Sequence, residues 1–255
     1  MNIKNTILYP VNILLTALLL VWVSGCSTMS EPAVAEVPAR HAIEDYVKDD
    51  VNYVSDVYDP WEPMNRRIYN FNTRFDRYIF LPVVAGYEYI LPDFAEDRIS
   101  DFFANIRDIK NFINSVLQLK PDAAYTALAR FTINTTVGIA GLWDPATKIG
   151  VDEWREDFGQ TLGRYGVGDG PFLVLPIFGP SNVRDGIGLG VDTYMRVELR
   201  DELDMKDGEE LALDVLSGID TRHRTAFRYY ETGSPFEYEL VRLLYGKARQ
   251  LEISK

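Results

Sequence analysis

The stretch YDPWEPMNRRIYNFN, residues 58–72, carries the reading on which the fold turns. Asp59 is placed to cap a helix, Pro60 suits its first position, and Glu62 completes a D-x-x-E capping box. Pro82 is expected to end the segment. At about 100° per residue the helix shows three stripes. Met64, Ile68, Phe71, Phe75 and Ile79 form an apolar one. Asn65, Tyr69, Asn72 and Asp76 form a polar one, and Arg66, Asn70, Arg74 and Arg77 a third. An ordinary surface helix meets two environments, core and water. This one is built to meet three.

The same punctuation recurs along the chain. Pro92-Asp93 precedes Ile99, Phe102, Ile106, Ile109, Ile113 and Val116 at helical spacing, and Pro121-Asp122 opens another helix. Within that helical run, FTINTTVGIAGLW (131–143) has no charged residue. It is too short to span a bilayer but long enough for a buried or re-entrant segment. Asp207 to Glu210 and Ser234-Pro235-x-Glu237 are further capping boxes. Pro171 to Pro176 reads as a short strand or an extended loop. The expected fold is mainly α with little or no β.

Residues 1–25 read as an export signal: Lys4, an apolar run from Ile7 to Val23, then small residues. An uncleaved anchor is the alternative, but the run is short for a span. Val23-Ser24-Gly25-Cys26 resembles a bacterial lipobox, which implies acylation of Cys26, the single cysteine of the chain. Ser27 rather than Asp after it implies sorting to the outer membrane. Residues 26–57, rich in Pro, Ala and acids, read as a lipidated tether, and 58–255 as the folded domain.

The formal net charge of −12 argues against nucleic acid as a partner. It also requires any contact with lipid beyond the anchor to rest on apolar burial. Catalytic patterns are missing. His41 and His223 belong to no HExxH, there is no G-x-S-x-G, and the composition does not suit a zinc site. GRYGVGDGP (163–171) fits neither phosphate-loop spacing, so its glycines read as turn formers. Gly186, Gly188 and Gly190 read as a helix face close to another backbone. Aromatics make up 13% of the chain, with fifteen tyrosines. Tyr and Trp suit the boundary between hydrocarbon and headgroups, although an aromatic-filled soluble core is the alternative.

These residues together resemble the MlaA (VacJ) family of outer-membrane phospholipid-transport lipoproteins. The lipobox, Asp59-Pro60-x-Glu62-x-x-Asn65-Arg66 and Tyr69-Asn70-Phe71-Asn72 are similar to its opening signature. Arg130-Phe131-x-x-Asn134-Thr135-x-x-Gly138 and the run from Phe158 to Arg184-Asp185 are similar to later blocks. Ser234-Pro235-Phe236 departs from the Asp-Pro-Tyr that the family often has there.

The resemblance implies a ring-like set of amphipathic helices in the inner leaflet of the outer membrane, with a central polar channel. It implies phospholipid as cargo, moved in the retrograde direction to maintain lipid asymmetry. A trimeric porin and a soluble periplasmic phospholipid carrier are the implied partners, with no cofactor on this chain and no bond broken. Tyr165, Gly166, Gly168, Gly170 and Arg184 are then candidates for channel or gate, a rigid turn being the other reading of the glycines. The resemblance also implies that the uncharged 131–143 segment sits deepest, with Trp143 and Trp154. Asn65 and Asn72 are expected to satisfy polar groups between helices, and Arg66 and Arg74 to pair with acids or lead a lipid phosphate. A porin-associated scaffold without a channel and a tethered lipid hydrolase are the competing functions.

Overall fold

The computed structural model describes residues 57–202 and 205–255. The expected signal segment, Cys26 and nearly all of the tether lie outside the described residues. What is described is helical apart from one antiparallel hairpin. Helix α1 spans Glu62–Phe75 and passes through a π-helical turn, Asp76–Phe80, into α2, Leu81–Ile90. Helices α3 (Asp93–Leu117) and α4 (Pro121–Thr136) form the most extensive pairing. Two short helices follow, α5 (Pro145–Lys148) and α6 (Phe158–Arg164). Strands β1 (Phe172–Leu175) and β2 (Gly179–Asn182) pair in register from Phe172 opposite Asn182 to Leu175 opposite Gly179. Helices α7 (Val183–Glu202), α8 (Asp207–Arg224) and α9 (Glu237–Ser254) complete the chain.

Several helix boundaries differ from expectation, each for a physical reason. Pro82 does not stop the first helix. It occupies the first turn of α2, and the π-turn ahead of it closes by a bond from the Leu81 N–H to the Asp76 carbonyl. The wider turn absorbs the proline's missing donor and the clash of its ring. Asp59 does not cap α1, which begins at Glu62 behind Trp61. Its carboxylate instead accepts from the Asn65 amide (2.8 Å), the Tyr238 hydroxyl (2.5 Å) and Arg242 (3.1 Å). Three side-chain donors, two of them from the C-terminal helix, outcompete the local N–H groups for one buried carboxylate.

Glu237 likewise does not close a capping box. It accepts from the Tyr69 hydroxyl and from the Tyr230 and Thr232 backbone, pinning the loop that precedes α9. At α8 the Lys206 N–H is taken by Glu209 rather than Glu210. Of the three glycines on α7, only Gly188 lies against another backbone: a Cβ there would sit 2.3 Å from the Gly159 nitrogen.

The interior is the unusual part. Among the described residues, twenty-four buried side chains are polar or charged and eleven are apolar. The usual rule for a water-soluble globule is the reverse. On α1 the buried positions are Asn65, Tyr69, Asn72 and Thr73, whereas Met64 is 44% exposed. On α3 the buried positions are Glu96, Phe103, Asn105, Asp108, Asn111, Asn114 and Ser115, six of the seven polar or charged, and the Ile99-to-Val116 stripe is half-buried or exposed. On α8 and α9, Asp220 and Arg249 are buried while Leu211, Val215, Leu244 and Leu251 face outward. Four helices are turned with their polar stripe inward.

Candidate functional site

The polar interior is built from the signature residues. Asn65 and Asn72, seven residues apart and so on one face of α1, dock against the free edge of β1. The Asn65 amide donates to the Phe172 carbonyl (3.0 Å), and its oxygen accepts from the Val174 N–H (2.9 Å). Asn72 donates to the Leu175 carbonyl (2.9 Å) and accepts from the Ile177 N–H (2.7 Å). Two side-chain amides thereby stand in for a third strand. The expectation that they satisfy buried polar groups is met, but the groups belong to a hairpin rather than to a neighbouring helix.

The other signature residues divide. Arg66 bridges Glu62 on its own helix and Glu239 on α9, as the pairing alternative anticipated. Phe71 stacks beside Phe75 at 5.9 Å. Pro60 is exposed just ahead of α1. Asn70 accepts from the Tyr230 hydroxyl (2.7 Å) and lines a pocket of about 340 Å³ with Thr73, Arg74, Arg77, Tyr78 and Tyr230. Arg74 makes no ion pair among the described residues, so here the acid-pairing expectation fails.

Between α3 and α4 the packing is a charge network. Arg130, 1% exposed, donates to Asp108 (3.2 Å), Asp144 (2.8 Å), the Thr147 hydroxyl (2.8 Å) and the Val151 carbonyl. Burial pushes the Asp108 carboxyl up to about 6 although Arg130 pulls the other way. Burial also opposes ionisation of Asp144, but the Thr147 hydroxyl and N–H and Arg130 outweigh it and hold that carboxyl down to about 2. Asn134 supports the arrangement by donating to Asp144 and accepting from the Ala146 N–H. The buried Ala123, Ala124 and Ala127 let the two helices approach closely enough for these bonds.

A second network joins the C-terminal helix to the body. Arg249 grips Asp157 and Asp185, two bonds to each at 2.7–3.0 Å. Asp185 also accepts from Tyr245, Asn182 and Arg184. Burial disfavours the Asp157 and Asp185 charges, yet Arg249 holds both carboxyls below the usual range. Arg184 is accordingly committed to Asp169 and Asp185.

The glycine-rich stretch is a braced turn. Gly166 and Gly170 take positive φ, and the Val167 N–H reaches back to the Leu162 carbonyl (3.0 Å). Gly168 has open space around it, and the exposed Tyr165 donates its hydroxyl to the Leu117 carbonyl (2.7 Å). A Cβ at Gly159, by contrast, would sit 2.5 Å from an Asp185 carboxylate oxygen. Four acceptor oxygens in the interior, on Asn105, Gln118, Glu156 and Asp220, find no donor among the described residues. Both ring nitrogens of His223 face carboxylates, Glu88 and Glu96, with no nucleophile in the constellation.

The outside is apolar where the inside is polar. Val137, Ile139, Leu142, Leu119, Tyr125 and Phe178 are all exposed. The segment after α4 folds into a tight turn in which Ile139, Ala140 and Gly141 all take positive φ. The N–H groups of Val137, Gly138, Ala140, Gly141, Leu142 and Trp143 all reach backbone carbonyls of residues 133–139. Its apolar side chains project from a turn whose N–H groups, Ile139 apart, are bonded to nearby carbonyls, which lowers the cost of meeting hydrocarbon. The side chains of Val137, Ile139 and Leu142 therefore face outward, while Gly138 and Gly141 are buried. No helix among the described residues is long and apolar enough to cross a membrane.

An uncharacterised protein of Rickettsia prowazekii is 45% identical over 130 residues, 51% of this chain and 52% of its own length. Proteins named intermembrane phospholipid transport system lipoprotein MlaA match from Escherichia coli K12 and Haemophilus influenzae. The first is 36% identical over 54% of this chain and 57% of its own length, the second 34% over 58% and 60%. The chain spans about half the length of the curated relatives it matches. A solved structure described as the structural basis for maintenance of bacterial outer membrane lipid asymmetry superposes with a TM-score of 0.64 at 29% identity, covering 76% of this chain and 98% of that one. The sequence model of the MlaA lipoprotein family matches residues 57–252, essentially the whole folded part, and the chain belongs to that family.

Proposed function

We propose that this protein is an outer-membrane lipoprotein, anchored through Cys26, that moves phospholipids between the outer membrane and the periplasm. The observation that carries the reading is the inverted distribution of polarity: paired polar side chains inside, unpaired apolar ones outside. Such a surface is stable against hydrocarbon, and its helices hold together without a hydrophobic driving force between them. The names of the Escherichia coli and Haemophilus influenzae relatives, and the lipid-asymmetry context of the matching solved fold, support phospholipid as cargo.

In this reading the helices form a ring around a wet passage in the inner leaflet. Dragging a zwitterionic headgroup through bare hydrocarbon is the costly step, and a polar lining lowers it without breaking a bond. Retrograde direction, handover to a soluble periplasmic carrier and association with a trimeric porin complete the proposal. Direction and energy then come from partners.

The test is outer-leaflet phospholipid content in cells lacking the protein. Deletion should raise it, the wild-type gene should restore the normal level, and a Cys26→Ala chain should restore it poorly. Undisturbed surface lipid in the deletion strain would overturn the function.

A further inference from the structure

The third stripe of α1 does not take part in the inward polar packing. Asn70, Thr73, Arg74, Arg77, Tyr78 and Tyr230 enclose the pocket of about 340 Å³ described above. Its lining holds two guanidiniums and no carboxylate, in a chain with a net charge of −12. Most other arginines are engaged by acids: Arg66, Arg98, Arg107, Arg130, Arg184, Arg222, Arg242 and Arg249 all lie within 3.2 Å of a carboxylate oxygen. Arg74 and Arg77 are exposed and make no such pair among the described residues.

The opposite wall is held in place. Tyr230 has φ of +60°, a conformation that a tyrosine rarely adopts unless its surroundings impose it. They do so at three points. Its N–H is bound by Glu237 (2.7 Å), its hydroxyl by Asn70 (2.7 Å), and its ring meets Tyr69 edge-on at 5.9 Å. On the near side, the π-turn places both Arg77 and Tyr78 beside Arg74 on the pocket wall. π-turns occur preferentially where a helix has been adjusted for a site. Two planar guanidiniums, with their N–H donors, suit a phosphate with two oxygens to offer.

We propose that this pocket binds the phosphate of a glycerophospholipid headgroup, Arg74 and Arg77 taking its charged oxygens and the Tyr78 and Tyr230 rings flanking the glycerol end. The identification of the source as lipid rests on the transport reading; the anion-binding chemistry does not. Ile79, next to Tyr78 in the chain, is exposed and apolar, which suits acyl chains that stay in hydrocarbon while the headgroup enters.

The experiment titrates the full chain, in a non-ionic detergent, with monomeric dihexanoylphosphatidylglycerol and separately with inorganic phosphate. The lipid should bind the wild type, and Arg74→Gln/Arg77→Gln should weaken it at least tenfold. Arg74→Lys/Arg77→Lys should recover part of the loss, and Lys148→Gln/Arg164→Gln, which leave the pocket untouched, should bind as the wild type does. Matching melting curves show that the variants are folded. Equal affinity in the Gln pair overturns the site, and inorganic phosphate binding as tightly as the lipid overturns the headgroup assignment. The two readings fail differently in cells. If deletion disturbs surface lipid but the Gln pair complements fully and binds normally, the pocket alone is wrong. If deletion has no effect while the Gln pair still loses binding, the pocket stands and transport is wrong.

Discussion

The packing around the hairpin and the packing between α3 and α4 use different physics within one fold. Around the hairpin, Tyr69, Phe172, Val174 and Tyr238 form a small aromatic core, with Tyr69 meeting Tyr229, Tyr230 and Tyr238 edge-on at 5.1–5.9 Å. Each such pair contributes about 0.5–1.5 kcal/mol beyond the area it buries. Between α3 and α4 there is no aromatic core of this kind. Alanines bring the backbones close, and Arg130, Asp108, Asp144 and Asn134 close the gap with hydrogen bonds. The first arrangement depends on water being excluded from apolar surface. The second does not, because its bonds strengthen when the surroundings become less polar. On the proposed function, a protein in contact with both periplasm and acyl chains needs both kinds.

The contrast can be broken most sharply at Arg130. Replacing it by Met leaves Asp108 buried without a counter-charge, and unfolding of the detergent-solubilised chain should register a loss of about 3–5 kcal/mol. A loss below about 1 kcal/mol would mean that the alanine stripe alone joins the two helices. At the hairpin, Asn65→Leu strips the Phe172 carbonyl and Val174 N–H of their partner. A denaturant midpoint shift equivalent to about 2–4 kcal/mol is expected, with raised outer-leaflet phospholipid in cells. Normal stability and normal lipid distribution in that variant would remove the amide clip from the account.

The smallest effect on folding should come from the outer surface. Val137→Ser with Ile139→Ser should change stability by no more than about 0.5 kcal/mol, since neither residue packs inside. The same pair in a Cys26→Ala background should float with liposomes less efficiently, because each buried aliphatic side chain contributes roughly 1.5–3 kcal/mol to transfer. Unchanged flotation would show that this turn stays out of the bilayer.

Much of this architecture was legible in the residues. Proline-marked helix starts at Pro60, Pro92 and Pro121 fall within two residues of the observed ones, and the three stripes of α1 are real. Which stripe faces inward was not legible, since periodicity reports that faces differ but not what solvent lies outside. Asp59 and Glu237 were misread as caps for a related reason. A carboxylate at a helix start looks local in sequence, and only the fold brings Tyr238, Arg242 and Tyr69 to it. Arg184 carried the same ambiguity: a lone arginine in a glycine-rich region is open to a lumen or to a neighbour, and here Asp169 and Asp185 surround it. The pocket at Arg74 needed Tyr230, some 150 positions away, to become a pocket at all.

The two amides that clip β1 have a consequence for how the chain behaves at high local concentration. A two-stranded ribbon ordinarily presents two open borders, each able to recruit a strand from a second molecule and begin an aggregate. Here one border is sealed from within by Asn65, Asn72 and the Tyr58 carbonyl, and the other carries Pro180, which has no N–H to offer. Once α1 has docked, the ribbon cannot be extended on the sealed side. A copy that has just folded among many others is thereby guarded against self-association at the one sheet among the described residues.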